Sequence, residues 1–76
     1  MEELINILEE IVPGVDYENT TTLIDDHILD SFAMLSLVSE IEDAFDVEIA
    51  PVELIPENFN SAKSLWAMIE RLKEEE

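Results

Sequence analysis

The residues with the clearest chemical potential are Asp30, Ser31 and Phe32, at the start of an amphipathic segment. The Asp30 carboxylate can accept hydrogen bonds from the unpaired amides of a first helical turn, so this residue is a good N-cap. Ser31 then places its hydroxyl where these amides and the helix dipole favour a phosphate ester. On a helical wheel, Phe32 falls on the polar face, where its ring can anchor a partner protein. The alternative is a purely structural role, in which Ser31 is merely a favourable first-turn residue and Phe32 folds back against the preceding loop.

Motifs of catalytic and metal-binding proteins are missing from the sequence. His27 is the single histidine, and no GxSxG segment surrounds the nearest serine, Ser31, so a small Ser-His hydrolase has little support. No window satisfies the EF-hand pattern, and Gly14, the only glycine, cannot form a glycine-rich phosphate loop. The absence of cysteine excludes disulfides, zinc-thiolate sites and a cysteine nucleophile. We therefore expect a protein that serves other proteins, is not itself an enzyme and has no specific metal site.

The charge of the chain is extreme for its length. Its 76 residues include 20 Asp and Glu against 3 Lys and Arg, a formal net charge of −17. All three cations, Lys63, Arg71 and Lys73, lie near the C-terminus. Nucleic acids and anionic lipids attract cationic surfaces, so neither is expected as a partner, and a basic protein surface is the natural complement. With 47% hydrophobic residues, the chain has enough apolar surface for one small folded domain over 1–76, which we expect to be monomeric.

The N-terminal segment gives an expectation about location. It is acidic and amphipathic, and it lacks the cationic start and continuous apolar run of a signal peptide. No stretch approaches the roughly 20 apolar residues that a membrane-spanning helix needs. The expected location is cytoplasmic.

Hydrophobic periodicity places the site residues on helices. The expected elements are a helix over 2–12 ended by Pro13 and Gly14, a long loop over 13–30, a helix over 31–45, a short helical turn between Pro51 and Pro56 or just after Pro56, and a last helix over 61–76 capped by Asn60 or Ser61. Three long amphipathic helices and a short one predict an all-α fold. We expect a small four-helix bundle with a long first loop and a short third helix.

The second helix has two contrasting faces. Its predicted core face holds Met34, Leu37, Val38, Ile41, Ala44 and Phe45. Its outward arc holds Ser36, Ser39, Asp43 and Asp46, with Glu40 and Glu42 at the margins and Phe32 in the middle. An exposed aromatic ring on an acidic arc is typical of a docking surface.

The segment Asp30-Ser31-Phe32, together with the helix end Ile41-Glu42-Asp43-Ala44-Phe45-Asp46, resembles the attachment segment of the acyl carrier protein family. The length, the acidity, the first helix, the long loop and the last helix are also similar to that family, so the resemblance covers essentially the whole chain. It implies a four-helix bundle in which Ser31 carries 4'-phosphopantetheine, added from coenzyme A by a phosphopantetheinyl transferase. The thiol of that arm holds an acyl or aminoacyl group as a thioester, and the protein itself catalyses nothing.

The resemblance also implies a partner surface on the second helix. It would consist of Phe32, Ser36, Glu40, Asp43 and the margin residue Glu42, facing basic patches on the loading ligase or synthase. Ser36 and Ala33 are uncharged where an acid is often found in the family, so partner contacts are expected to differ here. If cargo is sequestered, the expected lining is Val38, Ile41, Leu54, Ile55, Phe59 and Met68; the alternative is that these residues are only core.

The cargo is less sharply indicated. Leu29-Asp30-Ser31-Phe32 is similar to the D-alanyl carrier proteins, and Ile55-Pro56-Glu57-Asn58-Phe59-Asn60-Ser61 occupies the region before their last helix. We favour an aminoacyl carrier, with a fatty-acyl or polyketide carrier as the alternative. An acidic decoy that mimics nucleic acid and blocks a basic protein remains a further alternative, since it needs only the charge.

Overall fold

The computed structural model describes residues 2–75, with side chains from 2 to 74. Its elements, in chain order, are helix α1 (Glu2–Ile11), helix α2 (Ser31–Phe45), a 3-10 turn (Pro51–Glu53), helix α3 (Pro56–Phe59) and helix α4 (Ala62–Glu75). Residues 2–75 contain no β-strand. The all-α prediction, with its long first loop and short third helix, is confirmed. Helix α1 ends one residue before the expected end at Val12, and the expected final residue of the last helix, Glu76, lies outside the described residues.

The core lies where α1 packs against α2 and α4, with α3 against α4. Each long helix contributes a stripe at helical spacing, so that its apolar side chains meet at the centre of the bundle. Ser61, at the start of α4, is the polar residue of the described chain that is buried with them. The buried apolar residues are Leu4, Ile7, Leu8, Tyr17, Leu23, Leu29, Ala33, Leu37, Ile41, Val47, Ile49, Phe59, Ala62, Leu65, Met68 and Ile69.

Helix α2 is rotated slightly from the predicted orientation. Ala33, Leu37 and Ile41, spaced four residues apart, form its buried stripe. Ala33, which is absent from the predicted core face, is therefore a core residue. The expected core position of Ala44 is wrong, since this residue is exposed. At this end of α2, the contact with α4 is made by Phe45, whose ring lies edge-on to that of Trp66 at 5.7 Å, and the shorter Ala44 side chain stays outside.

The long first loop is held by buried side chains and by one tyrosine hydroxyl. Leu23 and Leu29 are at most 3% exposed, as is Tyr17. The Tyr17 hydroxyl lies 3.1 Å from the carbonyl oxygen of Leu8 and 2.5 Å from that of Val12, to which it can donate its single proton. The Leu8 carbonyl also accepts from the backbone amide of Val12, so the Tyr17 hydroxyl closes the C-terminal end of α1. Burial, reinforced by the charge of Glu9, raises the pKa of Tyr17.

Asn60 and Ser61, the two candidate caps of the last helix, have different roles. The Ser61 hydroxyl accepts from the backbone amide of Ser64 at 3.0 Å, so Ser61 is the N-cap of α4. The Asn60 side-chain oxygen accepts from the amides of Ile24 and Asp25, and its backbone carbonyl accepts from Leu23. Asn60 therefore ties the first loop to the start of α4, which helps to place the residues that lead into α2.

Candidate functional site at the start of helix α2

Asp30 is the N-cap of α2, as predicted. Its backbone is extended, with φ −87° and ψ −178°, and its Oδ1 accepts from the amide of Ala33 at 2.8 Å. Its backbone carbonyl accepts from the amide of Met34. Both bonds fix the first turn, so Ser31 is the first residue of a well-defined helix.

The hydroxyl of Ser31 is accessible, because the residue is exposed. Ser31 and Phe32 are first-turn residues whose amides have no acceptor among the residues that the structure describes. Unpaired amides and the positive end of the helix dipole favour a negatively charged group there. A phosphodiester on this hydroxyl would therefore be compatible with the local geometry without any rearrangement of α2.

The side chain of Phe32 points away from the core and is 79% exposed. The alternative, in which its ring folds back against the first loop, is therefore wrong. An exposed ring beside an exposed serine leaves an apolar contact point within reach of any protein that approaches Ser31.

The predicted partner residues lie in different environments. Glu40 and Asp43 are exposed, whereas Ser36 is half-buried. Glu42 is also half-buried, and its Oε2 accepts from the backbone amide of Ile49 at 2.8 Å. One Glu42 oxygen is thus engaged within the chain, where it holds the segment after α2.

Two of the three cations are engaged with other residues of the chain. The Arg71 guanidinium makes a bidentate contact with the carboxylate of Glu53. The Nζ of Lys73 lies 5.9 Å from the centre of the Phe45 ring. Both cations are on α4. They leave the negative charge around Ser31 available to a basic partner.

A shallow apolar groove of about 260 Å³ begins at Ser31. Its lining residues are Ser31, Met34, Leu35, Val38 and Leu54. Leu35, which is 68% exposed, is not among the predicted site residues. The helical spacing of positions 31, 34, 35 and 38 does place Leu35 on the same face of α2 as Ser31. That face was instead assigned to the core through Met34 and Val38, both of which are half-buried.

The residues expected to line a cargo site separate into two groups. Val38 and Leu54 border the groove, and Ile55 is 41% exposed. Ile41, Phe59 and Met68 are at most 2% exposed and belong to the core. The alternative that these are only core residues holds for the latter three.

His27 is exposed in the first loop with a positive φ of 59°, and its amide donates to the carbonyl of Ile24. It therefore lies in a turn of the loop that precedes α2.

Among the described residues, no group of three His, Asp or Glu side chains converges in an arrangement suited to a metal ion. Within residues 2–75, no helix is long and apolar enough to span a bilayer.

The whole chain is similar to known carrier proteins. A family model described as "Phosphopantetheine attachment site" matches residues 2–69. The chain belongs to the acyl carrier protein family. The D-alanyl carrier protein of Lactococcus lactis subsp. lactis (strain IL1403) is 33% identical over 78 residues, which cover 99% of this chain and 99% of the relative. The D-alanyl carrier protein of Lactococcus lactis subsp. cremoris (strain MG1363) is 29% identical over 76 residues, which cover 97% and 96%.

Family membership defines the chemistry of this carrier. Its cofactor is covalently attached 4'-phosphopantetheine, whose thiol supplies the thioester-forming group. Its partners include a phosphopantetheinyl transferase and the enzymes that load the arm. The start of α2 fits such a group, because it presents an exposed hydroxyl, unpaired amides and an apolar groove in one place.

Proposed function

We propose that Ser31 is the attachment residue for 4'-phosphopantetheine, in a single carrier domain that spans residues 1–76. The supporting observation is the position of Ser31 as the exposed first residue of α2, directly after the capping Asp30. Asp30 holds the first turn through Ala33 and leaves the serine hydroxyl free to accept the arm from coenzyme A. The carrier itself catalyses no reaction and moves its cargo between enzymes.

The cargo that we propose is an aminoacyl group, held as a thioester, with D-alanyl the first candidate. The likeness to two D-alanyl carrier proteins over nearly their whole length supports this choice over a fatty-acyl or polyketide cargo. The loading enzyme is then a ligase that activates an amino acid and presents a basic surface to α2. A loading assay tests this with a panel of adenylating enzymes and the substrates D-alanine, L-alanine and a fatty acid. Transfer of only the fatty acid to the arm would contradict the aminoacyl proposal.

The docking surface that we propose is Phe32 with the acids of the outward arc. Phe32 supplies the apolar contact, while Glu40 and Asp43 supply exposed charge for steering. Ser36 and Glu42 lie at the edges of this surface, where their half-buried positions allow smaller contacts. Electrostatic steering raises the encounter rate without tight binding, which suits a protein that must leave each enzyme. The monomeric state and the cytoplasmic location stay predictions.

Intact-mass spectrometry tests the attachment residue. Incubation with coenzyme A and a broad-specificity phosphopantetheinyl transferase should add the mass of one phosphopantetheine group. Ser31→Ala should abolish the gain, while Ser39→Ala, which removes another exposed hydroxyl of the same helix, should leave it intact. Modification of the Ser31→Ala variant would overturn the assignment. Binding to a basic nucleic-acid enzyme that is indifferent to Ser31→Ala would instead support the decoy alternative.

A further inference from the structure

Residues 50–58 border the Ser31 groove but contribute no buried side chain to the core. Every residue from Ala50 to Asn58 is exposed or half-buried, between the buried anchors Ile49 and Phe59. The hydrophobic burial that usually holds a segment in place is therefore missing along this stretch. We call residues 50–55 the strap; it contains the 3-10 turn and carries Leu54, which lines the groove beside Ser31.

The hydrogen bonds within the strap are local. The amides of Glu53 and Leu54 donate to the carbonyls of Ala50 and Pro51, and the amide of Ile55 donates to that of Glu53. Such bonds shape the turn, but they do not tie it to the rest of the molecule. Its position over the bundle needs another contact.

That contact is the pair between Glu53 and Arg71 of α4. The guanidinium Nη1 lies 3.0 Å from Oε2 of Glu53, and Nη2 lies 2.5 Å from Oε1. This is the bidentate geometry of a strong arginine-carboxylate pair. Asn58 adds to it, because its side-chain amide donates to both the backbone carbonyl and the carboxylate of Glu53. The Glu53 side chain is 16% exposed, so it is better shielded than an ordinary surface carboxylate.

We propose that the Glu53–Arg71 pair is a latch that holds the strap, and that both residues are positioning residues for the groove beside Ser31. Glu53 directly precedes Leu54, so a change at Glu53 moves the Leu54 wall of the groove relative to Leu35 and Val38. A basic partner offers competing cations to Glu53. Docking can thus exchange Arg71 for a cation of the partner and open the groove at the moment when the arm is used; this last step rests on the function proposed above.

Methyl and amide NMR on the full, unmodified chain tests the latch without any cofactor. In both Glu53→Gln and Arg71→Gln, the methyl resonances of Leu54, Leu35 and Val38 should shift. The amides of Leu54 and Ile55 should lose hydrogen-exchange protection by about fivefold, the size expected for the loss of a well-formed ion pair that restrains a local opening. The amides of Leu8 and Ile41 in the core should keep their protection.

Two further variants separate the latch from general charge effects. Glu48→Gln removes the same charge from an exposed position in the neighbouring segment and should leave the strap resonances unchanged. The exchange Glu53→Arg with Arg71→Glu restores an ion pair in the reverse sense and should recover most of the lost protection. The proposal is overturned by unchanged strap resonances in the single variants, by an equal loss of protection across the core, or by no recovery in the exchanged pair. Because no phosphopantetheine is involved, failure here leaves the assignment of Ser31 intact, and failure of the mass gain leaves the strap result standing.

Discussion

The Oδ1 of Asp30 accepts a hydrogen bond from the backbone amide of Ala33 at 2.8 Å. This single contact encloses Ser31 and Phe32 within the first turn of α2, so it orients both residues of the proposed attachment and docking site. The capping geometry also decides which amides stay available to an attached phosphate, since it occupies that of Ala33 and leaves those of Ser31 and Phe32 open.

Removal of this cap should lower stability. We expect Asp30→Ala to reduce the free energy of unfolding by about 1 kcal/mol, because an amide of the first turn loses its partner. Asp30→Asn keeps an acceptor oxygen and should retain most of the stability. Urea unfolding followed by circular dichroism measures both changes, and equal losses in the two variants would show that the charge, and not the cap, matters.

Replacement of Asp46 should raise stability. Asp46 ends α2 in the left-handed region, with φ 54°, and places a negative charge at the negative end of the helix dipole. Asp46→Gly relieves both penalties, and we expect a gain of up to about 1 kcal/mol in the free energy of unfolding. Asp43→Gly removes the same charge from within the helix, where glycine is less favourable than aspartate by roughly 0.3 kcal/mol, so this variant should show no comparable gain. A loss of stability in Asp46→Gly would contradict this explanation.

Tyr17 should make stability fall at alkaline pH. Burial and, secondarily, the charge of Glu9 raise the pKa of Tyr17 above its ordinary value of 10.0. The folded state therefore favours the protonated phenol, and its contribution is fully present below pH 10 and is lost as the pH rises through the folded pKa. Tyr17→Phe should cost about 1 kcal/mol at neutral pH through the lost hydrogen bond. This variant should also lose the tyrosine-specific part of the alkaline decline, which thermal unfolding from pH 8 to 11 measures against the parent chain.

Glu53 should titrate below its ordinary pKa of 4.5. The hydrogen bond from Arg71 is the largest cause that lowers this pKa. Its contribution to stability is present above the unfolded pKa and is lost as the pH falls through the folded pKa. Carbon NMR of the Glu53 carboxylate should give a midpoint below its ordinary value, and Arg71→Gln should move this midpoint up. Coincident midpoints of Glu53 in the parent and the variant would contradict the latch geometry.

Truncation of Leu37 should lower stability, whereas truncation of Leu35 should leave stability nearly unchanged. Leu37 is 0% exposed, and Leu37→Ala should cost about 3 kcal/mol through the cavity that it leaves. Leu35 is 68% exposed, and Leu35→Ala should change stability by less than about 0.5 kcal/mol. If the groove beside Ser31 meets partner enzymes, Leu35→Ala should nevertheless reduce kcat/KM for loading by about tenfold. Unchanged loading kinetics would show that the Leu35 side of the groove does not meet the loading enzyme.

Much of the fold follows from local patterns. The spacing of apolar residues predicted α1 and α4 to within one or two residues, and Asp30 with the apolar run behind it predicted both ends of α2. Caps and periodicity depend on neighbours within one turn, so the sequence contains the necessary information. The exposure of Phe32 could be predicted for the same reason, since it lies opposite the apolar stripe.

Other features depend on contacts between distant segments. Asn60 and Ser61 are equally good caps by composition, and only the approach of the first loop assigns Asn60 to Ile24 and Asp25. The exposure of Ala44 depends in the same way on Phe45 meeting Trp66 across the bundle. A helical wheel places residues around one helix axis. It therefore cannot predict the contact of Asn60 with the first loop or that of Phe45 with Trp66.

The amino-acid sequence by itself determined the helices, the acidic character and the serine that starts α2, because propensity, charge and capping are local properties of the chain. Only the tertiary structure decided that Leu35 and Leu54 border one groove at Ser31, and that Glu53 reaches Arg71. The physical reason is that side chains far apart in the sequence become neighbours only when the helices pack. The surface that partner enzymes meet is therefore a property of the packed bundle.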